Sequence, residues 1–183
     1  LGCGFKVSEA SAFGVPFPDM KERLAILSEH LEIISRMTRR DEVSFTFEGT
    51  HARVQDVVNS PRTGGGDHVR IAIGGHGKNV TFRLAAKYCD EINVDVPPED
   101  MAEAMAVLAD RCDEIGRDPA TLGITTGTNP AWPYPGLRAV GRQRFMRKED
   151  LPAIMPYDLD AILPRAHEMA RWVELGIGTV ICG

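Results

Sequence analysis

The chain has 183 residues, of which 43% are hydrophobic, 26% charged and 7% aromatic, the make-up of an ordinary globular domain rather than a fibrous, disordered or membrane chain. Its 21 Lys+Arg against 26 Asp+Glu leave a net charge of −5 without long runs of one sign, which gives nucleic acid or an anionic membrane surface no electrostatic hold. No apolar run approaches the roughly 20 residues that span a bilayer, so the expected partner is a small-molecule substrate.

Leu1-Gly-Cys-Gly4 reads as the end of a buried strand. Asp19 stands three residues before Glu22, a capping pattern, and Leu24, Leu27, Leu31 and Ile34 then recur at helical spacing to about Met37, which predicts an amphipathic helix. Arg36, Arg39 and Arg40 at its end complement the helix dipole. From Val43 to Val58 the period changes to two, predicting a hairpin, and the glycine-rich stretch up to His68 reads as a loop. Residues 43–68 are therefore an expected hairpin and loop insertion.

Val69 to Ile73 predicts a buried strand ending at Gly74. Asn79 is positioned to cap a following helix through Tyr88, and Ile92 to Val94 reads as the next strand. Pro98 marks a helix start, and Met105, Leu108, Cys112 and Ile115 give its apolar stripe, up to a C′ residue at Gly116. Leu122 to Ile124 is the next strand signal. From residue 127 to 157 regularity is lost, with Pro130, Pro133, Pro135, Pro152 and Pro156 and the basic group Arg138, Arg142, Arg144, Arg147 and Lys148. Such a long irregular segment is expected over a functional face. Leu159 to Val173 predicts a last helix, and Thr179 to Ile181 a last strand.

Short apolar strands alternating with amphipathic helices specify a parallel sheet with right-handed crossovers, either doubly wound or closed as a barrel. Four strand–helix steps cannot close a (β/α)8 barrel, which takes about 250 residues. In that case the chain, which begins at Leu1 without an initiator Met, would be the C-terminal portion.

The strongest chemical signal is Ile73-Gly-Gly-His-Gly-Lys-Asn-Val-Thr81, glycine-rich, directly after a strand and directly before a helix. Glycines let the backbone approach an anion, successive N–H groups can face it, and the helix N-terminus adds positive potential. Gly74, Gly75, His76 and Gly77 are the expected backbone contacts, with the Asn79 amide and Thr81 hydroxyl beside them. The run is neither a Walker A loop nor a Gly-x-Gly-x-x-Gly fingerprint, and tight βα turns also take glycine for steric reasons alone. His76 is the one non-glycine of the Gly-Gly-His-Gly turn and reads as solvent-facing. His30, His51, His68 and His167 lack ligand spacing, and Cys3, Cys89, Cys112 and Cys182 form no Cys-x-x-Cys pair, so no metal is expected. The cysteines read as reduced thiols of a cytoplasmic protein.

Leu1-Gly-Cys-Gly4, Glu9, Phe13-Gly-Val-Pro-Phe-Pro18, Glu22-Arg23, Phe47-Glu-Gly49, Ile73-Gly-Gly-His-Gly77, Arg83-Leu-Ala-Ala86, Tyr88-Cys-Asp90 and Gly116-Arg-Asp-Pro119, in that order and spacing, resemble the luciferase-like monooxygenase superfamily. The likeness is strongest to its coenzyme F420-dependent oxidoreductases and covers about residues 1 to 125. Glu174 to Ile181 looks like the family's last barrel strand. The resemblance implies an α/β fold, a (β/α)8 TIM barrel of the bacterial-luciferase type, here a partial barrel of about strands 4 to 8 in one domain over residues 1–183. Its first three strands would be lacking.

It also implies that a cofactor phosphate sits against Gly74, Gly75, His76 and Gly77, near Asn79 and Thr81, with Asn93 to Asp95 bordering the pocket. Phe5-Lys6 departs from the family pattern, which leaves Glu9 either a polar contact at the barrel mouth or an exposed carboxylate. The Arg138 to Lys148 cluster would face the anionic tail of F420 or be a solvated loop, and Trp132 and Tyr134 would wall a substrate pocket or pack locally. The implied activity is hydride transfer between F420 and a small organic substrate. The alternatives are an FMN-dependent monooxygenase using reduced flavin and dioxygen, partnered by a flavin reductase, and a non-catalytic or truncated family member. No catalytic residue is named; a homo-oligomer fits any of these.

Overall fold

The computed structural model describes residues 1–38, 43–60, 69–96, 98–128, 171, 173–177 and 179–182. In chain order these form α1 (Val7–Ala12), α2 (Met20–Thr38), β1 (Phe45–Glu48), β2 (Arg53–Val57), β3 (Ala72–Gly74), α3 (Thr81–Tyr88), β4 (Glu91–Asn93), α4 (Pro98–Asp113), a single 3-10 turn at Pro119–Thr121, β5 (Gly123–Thr128) and β6 (Thr179–Cys182).

Helix α2 begins as its capping pattern requires: the Glu22 N–H donates to Asp19 Oδ1 at 2.9 Å, satisfying a donor that has no partner within the helix. Leu27 and Leu31 are buried, and Leu24 and Ile34 pack beside them. Strands β1 and β2 pair antiparallel with a bulge between Phe45 and Phe47, and this hairpin lies against α2 rather than joining the main sheet. Helix α1 was not anticipated; it is six residues long, buries nothing and has no side-chain cap, so neither periodicity nor capping announces it.

The main sheet is wholly parallel in the order β3-β4-β5-β6. Leu1 extends it by one further position: its N–H donates to the Ala72 carbonyl at 2.6 Å and its carbonyl accepts from Gly74 at 2.9 Å, the ladder of a parallel neighbour opposite Ile73. Register places Ile73, Ile92 and Ile124 in one lateral row, and all three join the core formed with Phe82, Ala85, Met101, Leu108 and Cys112 of α3 and α4. The alternate row, Gly74, Asn93, Thr125 and Thr179, therefore lies on the opposite face of the sheet. Parallel strands with helices over one face form an arc of a (β/α)8 barrel.

Two expectations are corrected. The strand read over Val69 to Ile73 pairs only from Ala72, because the Ile71 N–H donates to the Asp90 carboxylate at 2.7 Å and the Ile71 carbonyl accepts from Asp90 and Glu91 at 2.8 and 3.2 Å; Ile71 serves the turn into β4. Ile115 does not continue the α4 stripe and is 53% exposed. The helix closes before it, with Gly116 at φ +70° donating to Asp113 and Arg117 donating to Cys112, the paired bonds of a Schellman ending. Arg117 then ties this ending to α3, donating to the carbonyls of Ala86 and Cys89, each at 2.8 Å.

Candidate anion-binding turn

The turn from Gly74 to Thr81 leaves the C-terminal end of β3 and opens α3. Its start is fixed on both sides: Gly74 donates to Leu1, and Gly75 donates to the Asn93 carbonyl at the end of β4 at 3.0 Å. Gly75 has φ +141°, a conformation that side chains other than hydrogen rarely allow. At Gly77 an added Cβ would stand 2.9 Å from Thr81 Oγ1, so the backbone and the Thr81 side chain come together only because residue 77 has none. Thr81 is 8% exposed.

The N–H groups of His76, Gly77, Lys78, Asn79, Val80 and Thr81 donate to no partner among the described residues. Free donors at a helix N-terminus, where the peptide dipoles add positive potential, can receive an anion. Among the described residues no side chain takes up these donors: Val80 is the N-cap residue, no side chain caps α3, and its first turn has no acidic residue. The expected cap, Asn79, is corrected accordingly; its side chain does not cap α3, and its carbonyl accepts from Arg83 instead. His76 and Asn79 are exposed. Lys78 turns its ammonium toward α4, where it pairs with Glu103 at 2.5 Å.

Next to the turn, Asn93 donates from its amide to Thr125 Oγ1 at 3.0 Å, and Thr126 donates to the Val94 carbonyl at 2.9 Å. Asn93 ends β4, at the edge where α/β barrels place their ligands, while Thr125 and Thr126 lie midway along β5. Asp95 is exposed just beyond β4. Glu9 lies away in α1, paired with Lys6 at 2.6 Å and 54% exposed. Along α2, an apolar groove of about 560 Å³ lined by Met20, Leu24, Ala25 and Val80 reaches the start of α3. Trp132, Tyr134, the basic residues from Arg138 to Lys148, His68 and His167 lie outside the described residues.

Burial pushes the Cys89 thiol up to about 11 and also raises Cys112, which makes both poor nucleophiles at neutral pH. Among the described residues no cluster of His, Cys, Asp and Glu could hold a metal ion, and no helix is long and apolar enough to cross a membrane.

A parallel β/α arc that carries a glycine turn of free amides at the end of β3 marks the fold as an α/β barrel domain. The family model for luciferase-like monooxygenases matches residues 1–133, and the chain belongs to that family. Among solved structures it is similar to an F420-dependent secondary alcohol dehydrogenase in complex with an F420-acetone adduct, at TM-score 0.71 and 19% identity over 100% of this chain and 62% of that one. It is also similar to a monooxygenase from Streptomyces bottropensis, at TM-score 0.66 and 21% identity over 99% and 59% of the two chains. A third likeness is to a coenzyme F420 dependent tetrahydromethanopterin reductase from Methanopyrus kandleri, at TM-score 0.59 and 15% identity over 98% and 66%. The chain thus spans about three fifths of the length of these structures. Among curated protein sequences none matches it significantly.

Proposed function

We propose that the chain carries the cofactor-phosphate site of an oxidoreductase whose phosphorylated flavin-type cofactor is anchored by Gly74 to Thr81. One observation carries this reading: the consecutive free N–H groups from His76 to Thr81, ahead of a helix without a capping side chain or an acidic first turn. The backbone of Gly75, His76 and Gly77 would approach the phosphate, Asn79 would add its amide and Thr81 its hydroxyl. Asn93 adjoins the turn at the end of β4, with Thr125 of β5 holding its amide. Bound there, a deazaflavin supplies a carbon that accepts or releases hydride, and the protein's task is to fix the ring and exclude water. An obvious catalytic triad is then not required.

F420 is the preferred cofactor. The run Arg83-Leu-Ala-Ala86 belongs to the motif set that resembles the F420-dependent enzymes, and two of the similar structures are F420-dependent enzymes. The family's monooxygenases, one of them similar to this chain, support FMN as the second reading, with a flavin reductase as partner. Either cofactor brings a phosphate to the same turn. We place the protein in the cytoplasm and its substrate among small organic molecules.

The test is a fluorescence titration with coenzyme F420 and FMN in parallel at one salt concentration. Micromolar binding of F420 alone supports hydride transfer through the deazaflavin. Preference for FMN moves the assignment to oxygen-consuming chemistry, and binding of neither makes this a non-catalytic member of the family.

A further inference from the structure

The outer side of the same turn is held by side chains from two helices. Arg83 of α3 donates from Nη1 to the Asn79 carbonyl at 2.7 Å, and Arg111 of α4 donates from Nε to the Lys78 carbonyl at 3.2 Å. Both guanidinium groups are joined by one carboxylate just past α4. Glu114 accepts from Arg83 Nε at 2.9 Å and from Nη2 at 3.1 Å, and it also accepts from Arg111 Nη1. A third carbonyl, that of Gly77, accepts the Phe82 N–H at 3.1 Å.

In a planar trans peptide the C=O and the following N–H point in opposite directions. Fixing the carbonyls of Gly77, Lys78 and Asn79 therefore fixes the N–H groups of Lys78, Asn79 and Val80, and turns them away from Phe82, Arg111 and Arg83. These are three of the consecutive free donors. Extending the anion-site reading above, on which it rests, we propose that Arg83, Arg111 and Glu114 form a positioning clamp. By holding the carbonyls of Lys78 and Asn79 it pre-aims the turn's amides at a phosphate.

Glu114 is the keystone. Without it two guanidinium groups would repel one another beside the turn, and neither would have its bidentate or shared partner to fix its geometry. The arrangement costs no conformational change when the phosphate arrives, which is what makes preorganised donors effective.

Positioning and simple charge attraction predict opposite signs. Removing the Glu114 charge leaves the local field more positive, so charge alone requires tighter phosphate binding in Glu114→Gln, whereas the clamp requires weaker binding. Arg83→Lys keeps the charge and loses the fork that grips Glu114 and Asn79 together.

The experiment compares FMN against riboflavin, which differ only in phosphorylation, and, as a second pair, F420 against its deazaflavin core, which lacks both the phosphate and the anionic tail, by fluorescence titration of wild type, E114Q and R83K. The expected result is a loss of about tenfold in affinity for the phosphorylated ligand in both variants, the scale of a displaced charge-assisted hydrogen bond, with the unphosphorylated partner unchanged. Equal losses for both members of a pair, or tighter phosphate binding in E114Q, overturn the clamp. R83K carries the test alone if E114Q does not fold. A wild type that does not prefer the phosphorylated ligand overturns the anion site itself and the clamp with it.

Discussion

The Glu29 carboxylate on α2 accepts the His51 N–H at 2.8 Å, and the neighbouring amides of Thr50 and Ala52 reach the same carboxylate at 2.9 and 2.8 Å. One side chain thus receives three consecutive amides at the tip of the β1–β2 hairpin. At Gly49 an added Cβ would stand 2.3 Å from Glu29 Oε2, so the approach of the hairpin tip to α2 requires a glycine there. The opposite end is tied by the Asn59 amide donating to the Met37 carbonyl at 2.9 Å.

This relationship predicts a pH-dependent dock. Burial alone would raise the Glu29 pKa, but the backbone donors of His51, Thr50 and Ala52 outweigh it and hold the carboxyl below its ordinary value. A depressed folded pKa contributes stability that is present above the unfolded carboxylate pKa and is lost as pH falls through the folded one. Amide exchange at residues 50–52, measured against the intrinsic rate at each pH, should become faster in acid at a pH below the ordinary carboxylate range. Glu29→Gln should show that fast exchange already at neutral pH, and unchanged protection in the variant would count against the dock.

The order of elements was legible because its signals are local. The capping pattern at Asp19, the helical spacing from Leu24 to Ile34, and the glycine turn after Ile73 each act within a few residues, and the structure realises the helices and strands they mark. In Gly116-Arg-Asp-Pro119 the helix end at Gly116 was legible, but the role of Arg117 emerges only in three dimensions, where it closes α3 through the Ala86 and Cys89 carbonyls, while Asp118 accepts the Ala120 N–H at 2.9 Å. What the sequence did not disclose is long-range. Arg83 and Glu114 are separated by 31 positions, and no periodicity relates them. Ile71 left its strand because Asp90, 19 residues on, offers a carboxylate to its N–H.

The glycines of the turn should differ sharply when replaced by alanine. Gly74 has open space where a Cβ would go, so Gly74→Ala should leave thermal stability unchanged. Gly75→Ala must hold φ near +141° with a methyl 3.3 Å from Thr81 Cγ2, a strain of ~1–3 kcal/mol. Gly77→Ala drives its methyl onto Thr81 Oγ1 and should also destabilise, with partial recovery in the Gly77→Ala/Thr81→Ala double variant. Urea unfolding of the set orders them, and equal stability of Gly74→Ala and Gly75→Ala would contradict this account.

Phe82 links the turn to the core. Its side chain is fully buried among the sheet and helices, while its N–H holds the Gly77 carbonyl. Phe82→Ala should cost ~3–5 kcal/mol in chemical unfolding through the cavity it leaves. Because the backbone bond survives the substitution, phosphate-dependent binding should persist in the folded fraction. Loss of that binding at denaturant-free conditions, with helix content retained, would show that packing at Phe82 also sets the turn.

Lys78 is the one cation within the turn, yet its ammonium is engaged with Glu103, and both side chains are well exposed, at 43% and 68%. Exposed pairs of this kind contribute about 0–1 kcal/mol, so Lys78→Met should be nearly neutral for folding. If the anion is received by backbone amides, the same variant should keep its affinity for a phosphorylated flavin within about twofold at moderate salt, since a screened surface charge adds little. Gly75→Asp should instead abolish most of that affinity, by intruding on the turn and repelling the phosphate. A tenfold or greater loss in Lys78→Met, about 1.4 kcal/mol, would transfer recognition from the backbone to the ammonium. The Glu103 pair would then have to open whenever the phosphate binds.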